Sequence, residues 1–236
     1  MIAHRRKNRV LMKSLLANIK IHVDEKVYLK DPESSEKGRQ IVEQSILLLD
    51  ELGLESFTFK KLAENIGTTE ATIYRYFESK HMLLSYLISW YWSWLEYRLV
   101  FATNNILAAE ERLMIAITIL SGNIEQDMNF VHVDEVALQR IVVAESAKVY
   151  LTKEVDDNNR EGFFFSYKRF CKRVADIIRE INPAYKFPAS LVSTVAETAH
   201  YQKFFSLHLP SLTNISDSKE DQLVAFLTEM VFKTIS

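Results

Sequence analysis

The chain has 236 residues, with 48% hydrophobic and 25% charged residues, a composition ordinary for a globular protein of one large or two small domains. Only 5 glycines and 4 prolines argue against turn-rich β folds and glycine-rich phosphate loops, and a single cysteine, Cys171, excludes an internal disulfide or a multi-thiolate metal site. The net charge of −2 hides an uneven distribution: residues 1–20 carry six basic residues and no acid, whereas residues 35–85 and 86–236 are each net acidic.

The basic start, MIAHRRKNRV, lacks the apolar stretch and small-residue cleavage site of a secretory signal, so a cytoplasmic chain is expected. Its bases Arg5, Arg6, Lys7, Arg9 and Lys13 read equally as a solvated tail or a phosphate-contacting arm. Leu11, Leu15, Leu16 and Ile19 have helical spacing, whereas IHVDEKVYL alternates like a strand. Asp31-Pro32-Glu33 carries a helix-start pattern: capping acid, proline, first-turn acid. Residues 1–34 are therefore set apart as an N-terminal extension.

Helical signals then dominate. Ile41, Ser45, Leu48 and Leu52 share a face, with Ile46 and Leu49 beside it, and Gly53 reads as the stop. Thr58 can cap a short helix ending at Gly67, with Phe57 and Leu62 as a hydrophobic staple. Another short helix is expected from Glu70 to Phe77, and Ser79 can cap a fourth, long and apolar one. No stretch between Met82 and Leu95 carries a charge, but that run is too short to span a bilayer. Further breaks are expected near residues 104–109, 122–129, 156–162, 182–189 and 210–217. The fold class is all-α, with a three-helix head at 35–85 and a helical bundle at 86–236.

Two short helices joined by a glycine-containing turn, TFKKLAENIGTTEATIYRYF over residues 58–77, form a helix-turn-helix pattern. Leu62, Ala63 and Ile66 face inward from the first helix, and Ile73 and Phe77 from the second. That leaves Thr69, Glu70, Ala71, Thr72, Tyr74 and Arg75 around the exposed side and front of the second helix, where such helices read bases and hold phosphates.

Residues 36–84 resemble the DNA-binding domain of the tetracycline-repressor (TetR) family of bacterial transcriptional regulators. The resemblance lies in LLLDELG, FTFKKLAENIG and TTEATIYRYFESKHMLL. It implies that Thr58 and Lys80 contact phosphate, that Thr69, Glu70 and Ala71 front the recognition helix, that Thr72 and Tyr74 face phosphate and groove, and that Tyr76 is a partly buried aromatic reaching the backbone; by themselves Tyr74 and Tyr76 read as half-buried aromatics of the core. Two residues depart from the family's pattern: Thr68, where an apolar residue is usual, and Glu70, where a basic or neutral one is common. Glu70 can accept from cytosine N4 or simply favour the helix dipole. The resemblance further implies a homodimer on a pseudo-palindromic double-stranded operator, and a ligand-responsive repressor rather than an enzyme.

In the second domain, Tyr86, Trp90, Trp94, Tyr97 and Phe101 form a stripe that reads as core or as the wall of a pocket for a small apolar ligand. Phe164 and Tyr167 in FFFSYKRF carry the same two readings. His132 and His200 are candidate polar groups of that pocket, and Glu197 with His200 is a polar pair without the spacing of a metal site. No cofactor, metal or membrane partner is expected. Cys171 reads as packing or, beside Lys172 and Arg173, as a reactive thiol. The last two helices carry Leu191, Val195, Phe204, Leu223, Phe226, Leu227 and Met230. The resemblance implies a dimer interface there, and the residues alone equally allow a monomer core. The alternative for the whole chain is a helical ligand carrier or adaptor whose acidic head no longer binds DNA.

Overall fold

The computed structural model describes residues 20–127, 129–216 and 221–236, so Arg5 to Ile19 lie outside the described residues. Among the described residues every regular element is helical. The described residues form eleven α-helices: α1 (Glu36–Ser56), α2 (Phe59–Ile66), α3 (Glu70–Tyr74), α4 (Lys80–Thr103), α5 (Ala109–Ser121), α6 (Glu135–Glu145), α7 (Ala147–Tyr150), α8 (Val155–Glu161), α9 (Phe165–Ile181), α10 (Pro188–His208) and α11 (Asp221–Ile235).

The strand-like alternation of residues 21–29 is not a strand. Ile21, Val23 and Val27 point inward from an extended run that ends in a 3-10 turn at Glu25–Val27. The period of two holds only at Ile21 and Val23, where an extended segment lies on the core with no strand beside it among the described residues, and Leu29 is exposed. The segment ties the two halves together. The Ser93 hydroxyl of α4 donates to the His22 carbonyl at 2.8 Å, and the Leu29 amide donates to the Tyr76 carbonyl at 2.8 Å. Asp31-Pro32-Glu33 begins only a 3-10 turn, Pro32–Ser34. Ser35 is the real cap of α1, accepting from the Gly38 amide at 3.1 Å.

Helix α1 buries Ile41, Val42, Ser45, Ile46 and Leu49, so its inward seam is centred beside the expected one, and Leu48 and Leu52 are only half-buried. At Gly53 the backbone turns left-handed (φ 69°), a conformation that costs glycine little. The helix breaks there and resumes for one short turn, which swings Leu54 and Phe57 into the core. Gly67 (φ 68°) likewise ends α2 and turns the chain toward α3.

Helix α4 is buried on nearly every side from Leu83 to Glu96, so it runs through the centre of the bundle. It packs against α5, α6 and α9, while α10 and α11 close the far side. Glu96 is buried, and its carboxylate receives Arg169 and Arg173 from α9, the latter at 2.7 Å. Pairing of this kind offsets the cost of burying a carboxylate. Helix α6 lies along α1 and is the main bridge from bundle to head. No helix among the described residues is long and apolar enough to cross a membrane.

Candidate nucleic-acid interface and ligand cavity

The head is built by three capped helices around a small apolar centre. Thr58 caps α2 by accepting from the Lys61 amide at 3.2 Å, Thr69 caps α3 from the Thr72 amide at 3.3 Å, and Ser79 caps α4 from the Met82 amide at 3.2 Å. Each cap fixes the direction in which the chain enters a helix. Leu62, Ala63, Ile73 and Phe77 are buried where α2 crosses α3. The Phe59 ring meets Tyr74 edge-on at 4.9 Å, which holds the end of α3 against the start of α2.

This packing leaves one face of α3 outward. Thr69, Glu70, Ala71, Tyr74 and Arg75 are exposed, and Thr72 is half-buried with its hydroxyl 3.1 Å from that of Thr69. Helix α3 ends at Tyr74, a turn earlier than expected from the sequence, because the chain tightens so that Tyr76 and Phe77 turn into the core. Thr58 is exposed on the same head. Lys60, also exposed, follows that cap in the KK pair of FTFKK, and no role was read for it from the sequence.

Two expected contact residues are differently employed. Tyr76 is buried, and its hydroxyl lies 2.8 Å from that of Ser35, the cap of α1. Lys30 sits 5.0 Å over its ring. Burial raises the phenol's pKa, but Ser35, Lys30 and Arg75 together bring it below the ordinary tyrosine value. Tyr76 is thus the joint between α3, α1 and the extension. The Lys80 ammonium donates to the carbonyls of Leu54 (2.8 Å), Glu55 (3.3 Å) and Phe57 (3.4 Å), closing the end of α1. The acceptors are neutral carbonyls, so these bonds hold the ammonium at the end of α1 and leave its charge available to a phosphate.

Head and bundle meet across a polar seam. The Glu145 carboxylate accepts from the Leu54 amide at 3.0 Å, directly after the Gly53 break, and pairs with Lys148 at 2.7 Å. Arg140 of α6 holds Asp50 of α1 through two bonds, the shorter 2.6 Å. A cavity of about 330 Å³ opens on this seam, lined by Gly53, Gln139, Arg140, Glu145 and Phe204 among others.

A second cavity, about 490 Å³, adjoins it between α6, α7 and α10, and both share Val143, Ala144 and Phe204. Tyr150, Glu197, His200 and Tyr201 supply its polar and aromatic wall. His200 is buried, its ring nitrogens have no partner, and burial, then Lys203, pushes its pKa down to about 4, so the imidazole is neutral. Burial holds the Glu197 pKa above the ordinary carboxylate value, against the lowering effect of the Tyr167 hydroxyl.

The expected aromatic pocket needs correction. Trp90 and Trp94 are fully packed, stacking on each other at 6.2 Å, and Arg98 covers Trp94 at 4.8 Å. Tyr97 is half-buried beside them, and Phe101 is 70% exposed against Tyr97, on a side of α4 away from the one that buries Leu99. His132 lies far from the cavity, bonded to Glu33 of the extension at 2.7 Å. Phe164 packs edge-on against Tyr150, and Tyr167 stacks on Trp92 at 4.2 Å with its hydroxyl 3.3 Å from Glu197, behind the cavity wall. Of the expected ligand residues, His200 lines the second cavity. Cys171 is a packing residue: burial pushes its thiol up to about 12.

The expected interface residues also divide. Leu191, Val195, Leu223 and Leu227 are buried within the subunit, so they close its own core and cannot meet a partner. Phe226 is exposed, and Phe204 and Met230 are half-buried, with Tyr201 and Leu207 exposed on α10 near Phe204. No cluster of metal-binding side chains occurs among the described residues.

Residues 41–87 match the family of bacterial regulatory proteins described as the tetR family. No curated protein matches the chain in sequence. Solved structures match over most of its length. A transcriptional regulator from Saccharomonospora viridis, solved with choline, is 19% identical, with 84% of this chain and 97% of that chain covered and a TM-score of 0.57. AibR, solved with isovaleryl coenzyme A and operator DNA, is 16% identical, with 81% and 97% covered and a TM-score of 0.56. The fatty acid degradation regulator FadR from Bacillus halodurans is 15% identical, with 84% and 97% covered and a TM-score of 0.56. At these identities the likeness is one of fold.

Proposed function

We propose that this chain, whose residues 41–87 match the tetR family of bacterial regulatory proteins, is a transcriptional regulator that binds operator DNA as a homodimer and releases it in response to a small ligand. The observation that carries the reading is the outward face of α3. Thr69, Glu70, Ala71, Tyr74 and Arg75 are exposed on a helix whose opposite side, at Ile73, is fully buried. Such a face fits a major groove, with front residues on base edges and flanking hydroxyls and cations on phosphate. Thr58 and Lys60 extend it along α2.

The head's acidic balance limits non-specific attraction, so binding depends on a few well-placed contacts and on the basic residues 5–13. Two heads meet successive major grooves about 34 Å apart, or a multiple, which calls for a pseudo-palindromic site. The exposed Phe226 and the half-buried Phe204 and Met230 are the interface candidates that remain on α10 and α11. A ligand acts by preferring one arrangement of the heads, and it weakens DNA binding by its difference in affinity between arrangements. Repression in the cytoplasm, without catalysis, follows from the same reading.

A fluorescence-anisotropy titration with the duplex upstream of the chain's own gene tests this. The expected result is saturable binding that Tyr74→Ala abolishes and that weakens steeply with salt. An adaptor with an inert head gives no saturable binding, and the Tyr74→Ala change then alters nothing.

A further inference from the structure

The second cavity has a definite chemistry. Glu197 is the one acidic side chain on its wall, and no lysine or arginine lines it. Tyr150, Tyr201 and Phe204 line the same cavity as that carboxylate, and the Tyr167 hydroxyl donates to it at 3.3 Å. His200, buried and on the same wall, leaves both ring nitrogens without a partner. Orphaned buried polar atoms are costly, and a group placed to satisfy them recovers that cost. The volume, about 490 Å³, lies within the range of small-molecule sites.

We propose that this cavity binds a small organic cation, an ammonium group on an apolar body, with Glu197 as counter-charge and the faces of Tyr150, Tyr201 and Phe204 around it. The inference rests on the ligand-responsive reading above and names the ligand class. An anion meets a carboxylate here, and Lys203, whose charge acts on His200, lines the neighbouring cavity and not this one. A purely apolar ligand desolvates Glu197 and His200 and pairs with neither. A cation satisfies the carboxylate and is attracted by the negative faces of the rings. The neutral His200 supplies one donor and one acceptor to a hydroxyl or carbonyl elsewhere on the same molecule. Tyr150 is held in place by the Trp92 indole, which donates to its hydroxyl at 2.9 Å, so that wall is preformed.

The test is isothermal titration calorimetry of the full-length protein with benzyltrimethylammonium, benzyl alcohol and 3-phenylpropanoate. The expected result is binding of the cation at least tenfold tighter than of either other probe, and at least a tenfold loss in Glu197→Gln. Tyr201 is half-exposed, so its variants do not endanger folding: Tyr201→Leu is expected to weaken the cation several-fold and Tyr201→Phe to leave it unchanged. Equal binding of the alcohol or the carboxylate, no binding of the cation, or indifference to Glu197→Gln overturns the proposal. Repeating the titration on the DNA complex separates the two readings. Glu197-dependent binding without DNA release supports the site and overturns ligand response, whereas DNA binding with no cation binding overturns the site alone.

Discussion

Replacing Glu145 by alanine probes the joint between head and bundle. Its carboxylate is buried and does two things: it accepts from the Leu54 amide just after the Gly53 break, and it pairs with Lys148. The first bond is the important one. Leu54 is itself buried, and the left-handed turn at Gly53 removes the helical partner its amide would otherwise have. A hydrogen bond to a charged acceptor is worth about 1.5–3 kcal/mol, and a buried donor left empty costs a similar amount. The Lys148 pair is partly exposed and adds at most about 1 kcal/mol. Glu145→Ala is therefore expected to lose about 2–3 kcal/mol. Glu145→Gln keeps an acceptor for Leu54 and is expected to lose less than about 1 kcal/mol. For a chain of this size that corresponds to a fall in Tm of about 4–12 °C for alanine against about 4 °C or less for glutamine. Urea unfolding followed by circular dichroism, with calorimetry for Tm, measures both. Equal losses in the two variants would refute the reasoning, because they would show that charge, and not the capping bond, holds the joint.

Other expectations follow from particular groups. Glu135 is fully buried at the start of α6, and burial raises its pKa to about 7. The folded state thus holds a proton that the unfolded state has released, and wild-type stability falls as pH rises from about 4.5 through about 7. Glu135→Gln is expected to be more stable than wild type at pH 8 by up to about 3 kcal/mol, with the difference vanishing near pH 4, measured by urea unfolding at both values. Lys80→Met removes the cation that closes α1. It is expected to cost about 1 kcal/mol of stability and to weaken DNA binding alike on all sequences, whereas substitutions at Ala71 change base preference. A Lys80→Met protein that changes sequence preference at full stability contradicts the role given to it.

The elements legible in the sequence are those set by neighbours a few residues apart. Thr58, Thr69 and Ser79 cap where their spacing places them, and Ile73 with Phe77 turns inward as a four-residue step requires. Features set by distant partners were not legible. Periodicity puts Phe101 on the stripe with Trp94 but does not say which side of each turn the neighbouring helices cover. An apolar face at Leu191 or Leu227 is the same whether its own subunit or a partner covers it. His132 finds Glu33, Lys80 finds the end of α1, and Glu197 and His200 join Tyr150 only once the chain has folded. The alternation of residues 21–29 reported the burial of Ile21, Val23 and Val27 but not Leu29, which is 64% exposed, and its assignment to a strand failed because one extended segment on a core can have the same period as a sheet.

The most direct test of the account is selection of binding sites from a randomised duplex library by the purified full-length protein. The expected result is enrichment of an inverted repeat whose half-sites lie one helical turn or a multiple apart, lost when Ala71 and Tyr74 are replaced together. Recovery of no common sequence, or of one that the double variant selects equally well, would contradict the placement of α3 in the groove.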